Sequence, residues 1–144
     1  MRCLIILMII LINMNIYGQV PENNDIPTDL INKLDKMGGS SPLLNCYESA
    51  FLNSIFIDTL TCFDFTNKKV GFIEGAGKRS KTDYFNMHKK HLADEKNPLD
   101  NGSLYIFNET QKNESGGYDA AIVYWSKIHL PINKVIIKLQ NKKQ

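Results

Sequence analysis

No apolar run in this chain is long enough to cross a bilayer. The longest, Cys3–Ile12, holds ten residues, about half of the roughly 20 that a spanning helix needs. Cysteine is scarce: only Cys3, Cys46 and Cys62 occur in 144 residues, which excludes a disulfide-dense scaffold. Charge of one sign is lacking too. Lysine and arginine number 17 against 15 aspartates and glutamates, for a formal net charge of +2, so no global field points to nucleic acid or an anionic membrane. No segment repeats at a fixed period, which excludes a solenoid.

What the chain does have begins at its first residues. Arg2, the apolar run Cys3–Ile12 and a mildly polar stretch closing on Tyr17-Gly18 have the layout of a secretory signal peptide cut after Gly18. The expected organisation is a signal over residues 1–18, a flexible Pro- and Asn-containing arm over 19–27 and one domain over 28–144. The expected location is outside the cytosol, periplasmic or secreted, with no stable membrane anchor after cleavage. Cys3 then leaves with the signal, and removal of Arg2 lowers the formal charge by one.

Along the remaining chain, Thr28–Met37 has helical spacing at Leu30, Leu34 and Met37. Gly38-Gly39-Ser40 ends that helix, and Ser41-Pro42 opens a second one, with Ser41 as cap and Pro42 at the first position. Its apolar positions fall on two sides, which marks a central helix. Thr61–Phe65 and Lys68–Ile73, separated by Thr66-Asn67, read as a strand pair. Ser80 and Asp83 have the spacing of a capping box for a helix over Ser80–Ala93. Ser103–Phe107, Ala120–Ser126 and Asn133–Leu139 read as three further strands, with a polar turn at Gly116-Gly117. The mixed order predicts an α+β fold: a single small domain of two to three helices on a mostly antiparallel sheet of about four to five strands.

Two cysteines survive cleavage, and an even pair in an oxidising compartment predicts one disulfide, Cys46 to Cys62. The rival role for Cys46 is nucleophile. It falls in the first turn of a helix, where the positive end of the dipole favours thiolate. The order Asn45-Cys46-Tyr47 followed by Gly102-Ser103-Leu104-Tyr105-Ile106-Phe107 resembles that of papain-like NlpC/P60 cell-wall hydrolases, and the resemblance implies a catalytic Cys46. It departs at the histidine, where Tyr118-Asp119-Ala120 stands instead. His88 or His91 would have to serve as base, yet His88 shares a helix face with Tyr84, Phe85 and Leu92, the place of a core histidine. His88, His91 and Glu95 have helical spacing for a metal but no fourth ligand. Neither a metal nor a cofactor is expected.

Two binding segments remain. Gly71–Ser80 has glycines, Lys78 and Ser80 in a phosphate-loop-like run, but five residues separate Gly71 from Gly77 and Arg79 precedes Ser80, which breaks the nucleotide-binding spacing. Lys78, Arg79 and Ser80 are left as candidate contacts for an anion or carboxylate. Tyr118 and Asp119, leaving the glycine turn, form a candidate recognition edge, while Trp125 reads as core. The expected function is a small exported protein-binding module of the inhibitor or immunity type, without catalysis. Its expected partner is a protein of the same compartment, with no nucleic acid; the alternative is a cysteine hydrolase acting on cell-wall peptide.

Overall fold

A computed structural model describes residues 27–56, 63–75, 77–93, 102–124 and 129–141. The signal, Cys62, Glu95 and Trp125 lie outside the described residues. In chain order the elements are α1 (Thr28–Ile31), a 3-10 turn (Leu34–Lys36), α2 (Cys46–Ile55), β1 (Val70–Glu74), β2 (Gly77–Arg79), α3 (Lys81–Ala93), β3 (Ser103–Ile106), α4 (Glu109–Glu114), β4 (Ala120–Tyr124) and α5 (Ile132–Gln140). The strands form one sheet in the order β2-β1-β4-β3. Its central pair, β1 and β4, is parallel, and both outer pairings are antiparallel. The α+β class and the mostly antiparallel sheet are as expected, with more helices than two to three.

Both faces of the central strands are buried, so their side chains divide between two cores. Val70, Phe72, Ala120, Ile122 and Tyr124 face Phe51, Leu52, Tyr84 and Phe85 from α2 and α3. This side is aromatic: the Phe72 and Tyr84 rings stack at 4.4 Å, and Tyr84 meets Tyr124 edge-on at 5.1 Å. Ile73, Ala121 and Val123 face Val135, Ile136 and Leu139 of α5 on the other side. Gly71 permits that second contact, because a Cβ there would collide with Leu139 Cδ2.

Four elements differ from their sequence reading. The helix expected over Thr28–Met37 breaks into α1 and the 3-10 turn. α2 is capped by Asn45 and not by Ser41. Asn45 completes a reciprocal box with Glu48, whereas the residue three beyond Ser41 is Leu44, which cannot reach back. Ser41 Oγ accepts from the Leu43 N–H instead, and Leu43 bridges to Lys69 as extended chain. Of Thr61–Phe65, the described residues 63–65 form no strand, and the hairpin is β1–β2.

The largest difference is Asn133–Leu139, which is the helix α5. Its β-branched residues suggested a strand, but Ile132, Val135, Ile136 and Leu139 recur at three and four residues and make one stripe, a helical period. α4 was hidden in the polar stretch before Gly116. Asn108 and Gln111 form a second reciprocal capping box there. The α3 cap is as read: Asp83 N–H donates to Ser80 Oγ at 3.0 Å and Ser80 N–H to Asp83 Oδ2 at 3.4 Å.

Candidate functional site

Three places gather reactive or charged side chains. The first concerns Cys46 and His88, the candidate catalytic pair. Cys46 is the first residue of α2 and is exposed as a free thiol; the disulfide read for it has its other half, Cys62, outside the described residues. His88 is 2% exposed, with its ring edge-on to Tyr84 at 4.4 Å and Phe51 at 5.4 Å. Neither ring nitrogen has a hydrogen-bond partner. Burial, and then the neighbouring His91, push its pKa down from 6.5 to about 3. His88 is therefore a neutral core ring with no hydrogen bond to the Cys46 thiol, and it is poorly suited to act as its base near neutral pH.

The second place is Glu48, fully buried on α2. Its carboxylate accepts from Gly38 N–H at 2.7 Å, Asn45 N–H at 2.8 Å and the Lys81 ammonium at 3.0 Å. Lys81 also donates to the Leu43 carbonyl. Thr82 Oγ1 and the Lys89 ammonium, further along α3, donate to the carbonyls of Gly38 and Met37. A buried carboxylate with three donors is satisfied. This network ties the 37–45 segment to α2 and α3 and keeps the carboxylate inside the fold, away from solvent.

The third place lies at the start of β4, beside the C-terminus of α5. Gly116 and Gly117 both have φ near +80°, a conformation that favours glycine, and they turn the chain so that Tyr118 and Asp119 lead into β4. Asp119 Oδ2 accepts the Lys69 N–H at 2.8 Å, extending the β1–β4 pairing by one side chain. Its Oδ1 meets the Lys112 ammonium at 2.7 Å. Burial raises the Asp119 carboxyl, but the hydrogen bonds from Lys112 and Lys69 outweigh it and hold its pKa below the usual value. The same contact, first as a hydrogen bond and then as charge, raises Lys112.

Tyr118 packs partly on the aliphatic core and receives two cations. The ammoniums of Lys69 and Lys78 lie 4.3 and 4.9 Å from its ring centroid, within cation–π range. Each is also anchored on a carbonyl, Lys69 on Gly116 at 2.8 Å and Lys78 on Leu139 at 3.3 Å. Among the described residues, neither has a carboxylate partner.

Of the candidate binding residues, the fold thus unites Lys78 with Tyr118 and Asp119, which come from motifs about 40 positions apart. Arg79 is turned away into an ion pair with Glu74 at 2.7 Å, and Ser80 is spent on the α3 cap. Lys69 and Lys112 were not singled out from sequence. Lys69 falls in the segment Lys68–Ile73, which reads as a strand, and its charge is its only signal. Among the described residues, no group of three or more His, Cys, Asp and Glu could hold a metal, and no helix is long and apolar enough to cross a membrane. Residues 40–141, which include α2 through α5, match a protein family described as a domain of unknown function (DUF8192). No curated protein and no solved structure matches the chain.

Proposed function

This chain belongs to the DUF8192 family, and we propose that it is a small exported binding module of the inhibitor or immunity type whose contact surface centres on Tyr118. The observation that carries this reading is the pair of lysines, Lys69 and Lys78, fixed around a half-buried tyrosine and without a counter-ion among the described residues. A tyrosine that packs on the core at one side and reaches solvent at the other is a rigid contact with little side-chain entropy to lose. The remaining polar centres support the same reading, since Glu48 is fully buried on three internal donors and His88 is held neutral in an aromatic setting. Export is supported by the signal-like sequence of residues 1–18.

The test is capture from the exported fraction of the native cell, with the mature protein immobilised as wild type and as Tyr118→Ala. A specific protein partner retained by the wild type and lost by the variant is the expected result. Recovery of the same proteins on both, or on neither, overturns the reading.

A further inference from the structure

We propose that the Lys69–Tyr118–Lys78 surface recognises an acidic peptide segment of the partner protein, with side-chain carboxylates placed on the two ammoniums. This rests on the binding reading above and adds the chemistry of the ligand. Three features of the site carry it.

The first is unbalanced charge. Lys81, Arg79 and Lys112 each meet a carboxylate within 3.0 Å. Among the described residues, Lys69 and Lys78 meet only neutral carbonyls and the face of a ring. A carbonyl and a π-cloud orient an ammonium without cancelling its charge, so two positive charges remain to be met from outside.

The second is preorganisation. Tyr47 provides a comparison, since Lys33 and Lys36 lie 5.5 and 5.1 Å from its ring. Neither of those ammoniums is anchored by a hydrogen bond among the described residues. At Tyr118 both lysines are half-buried, and both are fixed on backbone carbonyls, one in the glycine turn that follows α4 and one in α5. Less side-chain freedom is lost when an anion arrives at Tyr118 than when one arrives at Tyr47.

The third is spacing and setting. Both ammoniums share one ring, so they lie within about 9 Å of each other. Alternate side chains of an extended peptide are roughly 7 Å apart on one face, so two acidic residues at i and i+2 can address both lysines. The ligand is peptide rather than nucleic acid because the whole chain is near charge balance, at +2, and the site holds lysines without an arginine fork. Nucleic-acid affinity draws on a broad basic footprint.

The experiment is an NMR titration of the isotope-labelled mature protein with an end-blocked hexaglutamate peptide. Inorganic phosphate at matched ionic strength is run in parallel. Shifts centred on Gly116–Asp119 and Lys69 are expected, fading as salt rises. The double variant Lys69→Gln/Lys78→Gln is expected to weaken the response on the order of tenfold, while Lys33→Gln/Lys36→Gln leaves it unchanged. Thermal melts confirm that each variant is folded, and Lys78→Gln alone serves if the double variant is not.

Shifts spread evenly over the surface lysines, an undiminished response in the folded lysine variant, or phosphate acting as strongly as the peptide would each overturn the assignment. Partner capture with Tyr118→Ala decides the binding reading separately. A captured partner combined with a silent hexaglutamate titration removes the acidic ligand and leaves the surface.

Discussion

Lysines do opposite work in two regions of this molecule. At the α2–α3 junction the Lys81 side chain is 9% exposed and its ammonium rests on the fully buried Glu48. At the β4 entrance Lys69 and Lys78 are held just as definitely, but by carbonyls and a tyrosine ring. The first arrangement closes its own charge balance inside the fold. The second spends positive charge on neutral partners, which gives little stability and leaves a field pointing outward. What separates the two is the presence of a carboxylate, because geometry alone is similarly ordered in both.

The comparison breaks most sharply at Glu48. Glu48→Ala leaves the N–H groups of Gly38 and Asn45 with no acceptor and the Lys81 ammonium with no counter-charge, only the Leu43 carbonyl. Removing one partner of a buried pair costs about 3–5 kcal/mol, and urea denaturation should register most of it. Glu48→Ala paired with Lys81→Met should recover part of the loss, since the uncompensated charge is gone. No recovery would show that the carboxylate acts mainly on the two backbone donors.

His88 sharpens the same contrast with pH. It is buried on α3, as Lys81 is, but its ring nitrogens have no partner. Its folded pKa of about 3 lies below the ordinary 6.5, so the unfolded chain binds the extra proton first as pH falls. The neutral ring's full contribution is present above 6.5 and is lost downward through that window, at about 1.4 kcal/mol for each pH unit, levelling off near the folded value. Thermal melts between pH 7 and pH 5 should fall for the wild type and fall less for His88→Leu. Equal slopes would place the acid sensitivity elsewhere.

A smaller change tests how the second region is assembled. Gly71→Ala puts a methyl group against Leu139, the residue whose carbonyl anchors Lys78. Overpacking of this kind costs about 1–3 kcal/mol. α5 should be displaced from the sheet, so partner binding at Tyr118 should weaken along with stability. Leu139→Val in the same chain should restore both, and a loss confined to stability would show that Lys78 does not depend on α5.

The α3 cap was legible from Ser80 and Asp83 because a capping box is local: two side chains and two N–H groups settle it within four residues. The same rule should have found α2 at Asn45–Glu48 and α4 at Asn108–Gln111. Ser41-Pro42 concealed the former with an equally local but incomplete signal, and the glycine turn drew attention from the latter. α5 is less legible, because Val135 and Ile136 satisfy a strand as readily as a helix until Leu139 is counted. The binding surface was half legible. Tyr118, Asp119 and Lys78 stood out in their own segments, but that Lys78 reaches Tyr118 follows from the β1–β4 pairing and from α5 lying across β1, neither of which any local pattern specifies. Lys69 had no signal beyond charge.

The smallest effect on stability should come from the residues that matter most to binding. In Lys69→Gln/Lys78→Gln the aliphatic stems keep most of their packing, and the Gly116 carbonyl left by Lys69 lies at an exposed residue, where water can meet it. No carboxylate loses a partner, because neither lysine had one among the described residues. Exposed cation–π contacts contribute about 0.5–1 kcal/mol each, and removing two like charges from one ring gives part of that back. The double variant should therefore unfold within about 1 kcal/mol of wild type, far above Glu48→Ala, while losing the captured partner. If it unfolds as readily as Glu48→Ala, the two regions are alike after all, and the lysines at Tyr118 are part of the scaffold.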